Sequence, residues 1–311
     1  MSTRYPCMGD QEQRYLEIFE QFKTTDIPEP KVKNPSMPVW TENKARLVER
    51  YLFLFVLVTH SGTYIDGFAG PQEPEREDMW SAKLVLESRP RWLQRFFLFE
   101  KDPKQVARLQ QMVAIQPPRD KSKNKNEPKR ETTIIPGNSN VEIRSLLTRG
   151  EVNRKQPAFA LLDQRTFECE WATLEALAAY NTKLKIELFY FLPNGWLDRA
   201  LSAQKEETIP TAWWGRDDWK TLKGVNHRDR AQIFSNRIRS ELGYRSVKHW
   251  PIYDKKGGTN VMYYMIHATD HPVAPHLMAR AYGKAVSPLV ESAEQVAFEF
   301  LEIGHLLKEK S

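Results

Sequence analysis

The chain has 311 residues, room for one large α/β domain with appendages, and its aromatic-rich composition calls for a packed core and excludes a disordered chain. Its two cysteines, Cys7 and Cys169, exclude a disulfide framework and a cysteine-ligated zinc site, and they fit a reducing cytoplasm. The net charge of +6 is concentrated in residues 119–130, RDKSKNKNEPKR, where six basic residues stand against two acidic ones. The remainder is close to balanced.

In chain order, Gln11 to Phe22 has helical spacing, and the Pro-studded stretch Ile27 to Pro38 reads as an extended lead-in. Thr41 can cap the next helix, Lys44 to Leu57. Within it the apolar run Tyr51 to Val58 is far too short to span a bilayer, and no secretory pattern opens the chain, so the expectation is a cytoplasmic protein without a membrane segment. A first strand, Gly62 to Ile65, ends at Asp66 in a turn of small residues, with an amphipathic segment from Trp80 to Glu87 behind it. The second strand, Arg95 to Phe99, ends in Glu100-Lys-Asp102, and Gln105 to Val113 is helical. After the basic insertion (116–131), Thr132 to Ile135 is a third strand ending at Gly137-Asn-Ser-Asn140. Asn140 is the expected cap of a helix from Val141 to Leu147.

The fourth strand, Ala158 to Leu162, ends in Asp163 and precedes a helix from Trp171 to Tyr180; the fifth runs from Lys185 to Leu192. Beyond them lies an elaboration (205–245) with a Trp-rich turn, Thr211 to Trp219, and a helix from Asp229 to Leu242. Trp213, Trp214 and Trp219 read as core anchors in preference to a base-stacking platform. Ser246 to Tyr253 and Val261 to Thr269 flank Gly257-Gly258 as a hairpin, and a last helix covers Pro288 to Lys308. The domain reading is an N-terminal extension (1–39), an α/β domain (40–285) and a C-terminal helix (286–311).

Five strands, each followed by a helix, predict a Rossmann-like, doubly wound, mostly parallel sheet closed by an antiparallel hairpin. Ligands of such sheets sit beyond the carboxyl ends of the strands, so Asp66, Glu100, Asn138 and Asp163 should converge on one crevice. A carboxylate at Glu100 can accept hydrogen bonds from ribose hydroxyls; its alternative is a solvated strand end. The Asn138 side-chain oxygen can receive an adenine amino group or cap a helix. Cys169 reads as a buried thiol, and the His267-x3-His271 spacing falls across a strand end, where it makes a poor metal site. The basic loop suits contact with a phosphate backbone, or is a solvated insertion.

Several strings carry a family resemblance: Trp40 with Lys44 and Tyr51; Tyr64-Ile-Asp-Gly-Phe-Ala-Gly-Pro71; Phe99-Glu-Lys-Asp102; Gly137-Asn-Ser-Asn140; Leu161-Leu-Asp163 with Trp171-Ala-Thr-Leu-Glu-Ala-Leu177. Trp214-Gly215, Leu242-Gly-Tyr244 and Tyr263-Tyr-Met-Ile266 before His271-Pro272 continue it. Over residues 40–285 the chain resembles the three-Cys-motif partner (TcmP) family, a class I methyltransferase-like group of bacteria and phages. The resemblance implies S-adenosylmethionine (AdoMet) as cofactor, held by Asp66, Phe68, Ala69, Gly70, Glu100 and Asn138. It also implies a three-Cys-motif radical-AdoMet-like protein as partner and a setting of nucleic-acid modification.

Amino-directed methyltransferases place Asp-Pro-Phe-x-Gly-Ser-Gly after the first strand; here the last glycine of Asp66-Gly-Phe-Ala-Gly-Pro-Gln72 is Gln72. After the fourth strand they place Asp-Pro-Pro-Tyr, whose acid and prolyl carbonyl receive the target amine while the aromatic stacks on the base. Here that string is Asp163-Gln-Arg-Thr-Phe167. Asp163 keeps the acid, Gln164 can offer an amide carbonyl, and Phe167 is the candidate stacking ring. Arg165 could contact phosphate, and Glu168 or Glu170 could serve as a base. Three functions follow in order: a methyltransferase acting on a nucleic-acid base, a non-catalytic docking protein of the same fold, and a metal-dependent nuclease.

Overall fold

A computed structural model describes residues 43–285, apart from 74, 118–127, 194–196, 204–206, 256–258 and the side chain of residue 198. The expected helix at 11–22, the Pro-rich lead-in, the Thr41 cap, most of the basic insertion, the Gly257-Gly258 turn and the C-terminal helix lie outside the described residues.

Helix α1 (Lys44–Thr59) presents Leu47, Val48, Tyr51, Leu52 and Phe55 inward at helical spacing, and stops at His60 in the left-handed conformation. It feeds β1 (Thr63–Asp66), which leads through α2 (Ser81–Glu87) to β2 (Arg95–Glu100). Next come α3 (Pro103–Ala114), β3 (Glu131–Pro136), α4 (Ser139–Thr148), β4 (Ala158–Leu162), α5 (Trp171–Ala179) and β5 (Glu187–Pro193). After them the chain forms α6 (Leu197–Ala203), α7 (Thr208–Trp214), α8 (His227–Leu242), β6 (Ser246–Tyr253), β7 (Val261–Thr269) and α9 (Ala274–Lys284).

The seven strands form one sheet in the order β3-β2-β1-β4-β5-β7-β6. Strands β1 to β5 are parallel; β7 runs antiparallel between β5 and β6. This is the class I methyltransferase arrangement of a Rossmann-like sheet, as the alternation of elements predicted. Strand order reverses at β1, between β2 and β4, which makes the carboxyl edge there the ligand-binding position of a doubly wound sheet.

Both faces of the sheet are covered, which is why β4 and β5 read as unbroken apolar runs and are buried along their whole length. One face packs Ile65, Phe97, Phe99, Ala160 and Tyr190 against α4, α5 and α8. The other packs Tyr64, Phe96, Leu98, Phe159 and Phe189 against α1, α2 and α9. Trp213, Trp214 and Trp219 are all buried in the first of these cores. The Arg237 guanidinium lies between the Trp171 and Trp214 rings, 4.0 and 3.9 Å from their centroids, and pairs with Glu241 at 2.8 Å.

At the amino end of the strands, Glu187 is buried with His267, 3.3 Å away, and takes the Tyr51 hydroxyl. His267 therefore works inside the sheet. Among the described residues no group of three or more His, Cys, Asp or Glu is placed to hold a metal ion, and no helix is long and apolar enough to cross a membrane.

Candidate active site

Asp66 closes β1 on the same face as Tyr64, two residues earlier, as strand alternation requires. The Tyr64 hydroxyl donates to Asp66 Oδ2 at 2.7 Å, and the Phe68 backbone N–H donates to Oδ1 at 3.1 Å. The carboxyl is 1 % exposed, and burial pushes its pKa up to about 7 against the lowering effect of those two donors. Asp66 thus shapes the loop from within, each of its oxygens taking one donor from the protein. Gly67 donates to the Leu161 carbonyl and Ala69 to the Phe99 carbonyl, both at 2.9 Å, so the loop is laid across the tips of β4 and β2. The Trp80 indole N–H holds the Ala69 carbonyl at 2.7 Å. Phe68 is partly buried and packs on the α4–α5 side of the core.

Glu100, the last residue of β2, meets this loop. Its Oε2 accepts from Gly70 N–H at 3.0 Å, and its Oε1 accepts from Lys101 N–H at 2.8 Å and Asp102 N–H at 2.9 Å. A Cβ at position 70 would lie 2.2 Å from Glu100 Oε2, so this approach requires glycine. A carboxylate offers about four lone-pair positions, and three are filled here. One acceptor position remains, on Oε2. Gln105, in the first turn of α3, lies under the same turn: its Cβ is 3.0 Å from that hypothetical Cβ, and its buried Oε1 has no hydrogen-bond partner.

The α4 cap differs from expectation. Asn138 is the cap, its oxygen accepting from Asn140 N–H at 2.9 Å, because the helix begins two residues earlier, at Ser139. Asn138 is exposed, and one lone pair of that oxygen and the amide N–H2 group are left for another partner. Asn140 turns inward. Its Nδ2 donates to the Glu168 carbonyl at 2.7 Å, while Oδ1 accepts from Glu170 N–H at 2.9 Å and the Thr173 hydroxyl at 2.8 Å. It thereby fixes the segment after β4.

That segment holds the candidate catalytic acid. Asp163 is buried, and its Oδ1 receives the Lys44 ammonium at 2.7 Å, from the first residue of α1. The Lys44 Nζ also lies 5.0 Å from the Phe191 ring centroid and 4.8 Å from that of Tyr263, with Gln72 Oε1 at 3.5 Å. Asp163 Oδ2 takes no hydrogen bond from any described residue.

Gln164 does not offer a carbonyl to a substrate amine. It is fully buried, its Nε2 donating to the Tyr190 hydroxyl and its Oε1 accepting from Cys169 N–H at 2.9 Å. Phe167 is turned inward too, edge-on to Trp213 with centroids 5.1 Å apart, and so does not present a stacking face. In both cases the chain re-enters the core between β4 and α5, where an apolar ring and a fully bonded amide are the stable occupants. Burial drives the Cys169 thiol pKa far up, which makes it a poor nucleophile. Glu168 is spent on Arg165 N–H at 2.8 Å and Lys101 at 3.3 Å, and Glu170 pairs with Arg144 at 3.3 Å.

The carboxyl edge therefore brings together Glu100, Gly70, Asn138 and Asp163 and adds three residues that sequence reasoning missed: Lys44, Gln105 and Tyr263. Lys44 and Tyr263 entered only within the strings that carry the family resemblance. No spacing signal could reveal them, since Lys44 and Asp163 are 119 residues apart in sequence.

No protein-family model matches the chain, and no curated protein matches it in sequence. Several solved structures align with it. Trm1 from Pyrococcus horikoshii, solved with S-adenosyl-L-methionine, aligns over 79 % of this chain and 60 % of its own, at 12 % identity and a TM-score of 0.41. An O-methyltransferase from Bacillus cereus in complex with SAH aligns over 84 % of this chain and 90 % of its own, at 9 % identity and a TM-score of 0.36. A DUF574 family protein from Streptomyces avermitilis aligns over 86 % and 92 %, at 10 % identity and a TM-score of 0.39. Similarity at this level bears on neither cofactor nor substrate, for which the site's own geometry must serve.

Proposed function

We propose that the chain is an AdoMet-dependent methyltransferase whose acceptor is a nucleic-acid base. The observation that supports this most is the Gly70–Glu100 contact: a glycine turn wrapped onto a strand-end carboxylate that keeps one acceptor position open. The residues present fit the nucleoside part of the cofactor. Glu100 Oε2 would hold a ribose hydroxyl, the unpartnered Gln105 Oε1 offers a second acceptor beneath the same turn, and Asn138 stands at the next tip for the adenine. When bound, AdoMet supplies an electrophilic methyl group.

The protein's own contribution is placement. Lys44 fixes Asp163 through Oδ1, and Oδ2 is left to accept a hydrogen bond or a proton from the attacking atom of the acceptor. Positioning of this kind supplies much of the rate when the nucleophile is weak. The partner expected from the family resemblance, a three-Cys-motif radical-AdoMet-like protein, belongs to the same proposal, as does contact of the basic insertion with a phosphate backbone.

One observation favours a second reading, a docking protein that keeps the pocket without the reaction: Asp163 is already neutralised by Lys44 and Gln164 is consumed in the core. Transfer of labelled methyl from AdoMet to RNA or DNA separates the two readings. The methyltransferase reading expects label in nucleic acid and a loss of about 100-fold or more in Asp163→Asn. The docking reading expects no label in either protein while cofactor binding persists.

A further inference from the structure

Three residues surround the Lys44–Asp163 pair at the carboxyl edge: Arg165 two positions past Asp163, Tyr263 on β7, and Phe191 on β5. Tyr263 is opposite Pro193, the last residue of β5, in the antiparallel register, which sets it at the same end of the sheet as Asp163. Its ring is the aromatic neighbour of the Lys44 ammonium that is only partly buried, and its hydroxyl makes no hydrogen bond with a described residue. Burial pushes that hydroxyl's pKa up, and the charges of Lys44, Asp163 and Arg165 all act on it.

Arg165 is held firmly at its backbone and free at its side chain. Gln164 is anchored inside by Tyr190 and by Cys169 N–H, and Glu168 Oε2 takes the Arg165 N–H at 2.8 Å, so the backbone from which the Arg165 side chain leaves is fixed. It is exposed and makes no hydrogen bond or ion pair with a described residue. The neighbouring charges are accounted for: Lys44 with Asp163, Lys101 with Glu168, Arg144 with Glu170. Asp163 Oδ2, the Tyr263 hydroxyl and the Arg165 guanidinium, none with a partner among the described residues, therefore lie at the same end of the sheet, and the charges of Asp163 and Arg165 both act on Tyr263.

We propose that Tyr263 and Arg165 are specificity-determining residues of the acceptor subsite, which takes a planar ring in a molecule that also carries an oxyanion: the Arg165 fork and the Tyr263 hydroxyl donate to the anion, and Asp163 receives the ring's nucleophilic group. The idea deepens the methyltransferase reading and rests on it for the reaction, but not for the binding. Charge-assisted hydrogen bonds of this kind are worth about tenfold or more in affinity.

The test titrates the full chain with the four nucleoside 5′-monophosphates, the parent nucleosides, and 4-hydroxybenzoate beside phenol, following tryptophan fluorescence. A separate calorimetric titration uses S-adenosylhomocysteine. At least one anionic probe should bind about tenfold more tightly than its neutral counterpart, the phosphate and carboxylate arms showing which oxyanion the site takes. Arg165→Gln should abolish that preference and Tyr263→Phe should weaken it several-fold, both with S-adenosylhomocysteine affinity within about twofold of wild type. Absence of any preference for the anion in the wild type, or a preference intact in both variants, would overturn the proposal. Loss of S-adenosylhomocysteine binding in the wild type, with the anion preference present, would instead remove the cofactor reading and leave the subsite standing.

Discussion

Asp66 shows how a residue can be right for a fold and misread for its role. Its place at the end of β1 made it a candidate cofactor ligand; the carboxyl is 1 % exposed, and each oxygen takes a donor from the loop or strand. Burial raises its pKa to about 7, whereas an unfolded aspartate titrates near pH 4. Between those values the folded state holds a proton that the unfolded state has lost, so the Asp66 contribution is fully present below about pH 4 and declines as pH rises through about 7. The decline amounts to roughly 4 kcal/mol. Urea denaturation of wild type and Asp66→Asn between pH 4.5 and 8 should show the difference between the two curves changing across that window. An identical pH slope in both proteins would contradict the assignment. Residue by residue, the strand tips were legible because a polar residue after four or five apolar ones marks a carboxyl edge. Side-chain direction was not legible: Asp163 and Gln164 are adjacent polar residues at one tip, and only packing against Tyr190 and Trp213 decides that the amide goes inward.

Elements meet at the crevice through few contacts, and Lys44 is the strongest of them. It joins the first residue of α1 to the tip of β4, with side chains 6 % and 9 % exposed. Removing one member of a buried ion pair leaves the other charge uncompensated, a loss of about 3 to 5 kcal/mol. Lys44→Met should lower stability by that amount in urea denaturation, and the double variant Lys44→Met, Asp163→Asn should recover most of it. A single variant as stable as wild type would show that the pair is not a tie between α1 and β4. The same scale explains what the sequence could carry. Alternation of strands and helices gave the sheet and its closing antiparallel pair, since each element's periodicity is local. The candidate site is not local: its acid, its counter-charge and its aromatic come from β4, α1 and β7.

At the scale of the whole molecule the two ends of the sheet differ. The amino edge holds the buried Glu187–His267–Tyr51 cluster, whose polar groups are bonded to one another. The carboxyl edge keeps at least one acceptor or donor position each on Glu100, Gln105, Asp163 and Tyr263 that no described residue fills. That polarity is what a doubly wound sheet uses to bind at its switch point, and it is the basis for placing a nucleoside-containing cofactor there. Calorimetric titration of the full chain with AdoMet and S-adenosylhomocysteine tests this directly. The account predicts micromolar-range binding by the wild type, weakened about 100-fold or lost in Glu100→Ala, with the variant still folded by circular dichroism. No binding by the wild type, or undiminished affinity in Glu100→Ala, would contradict it.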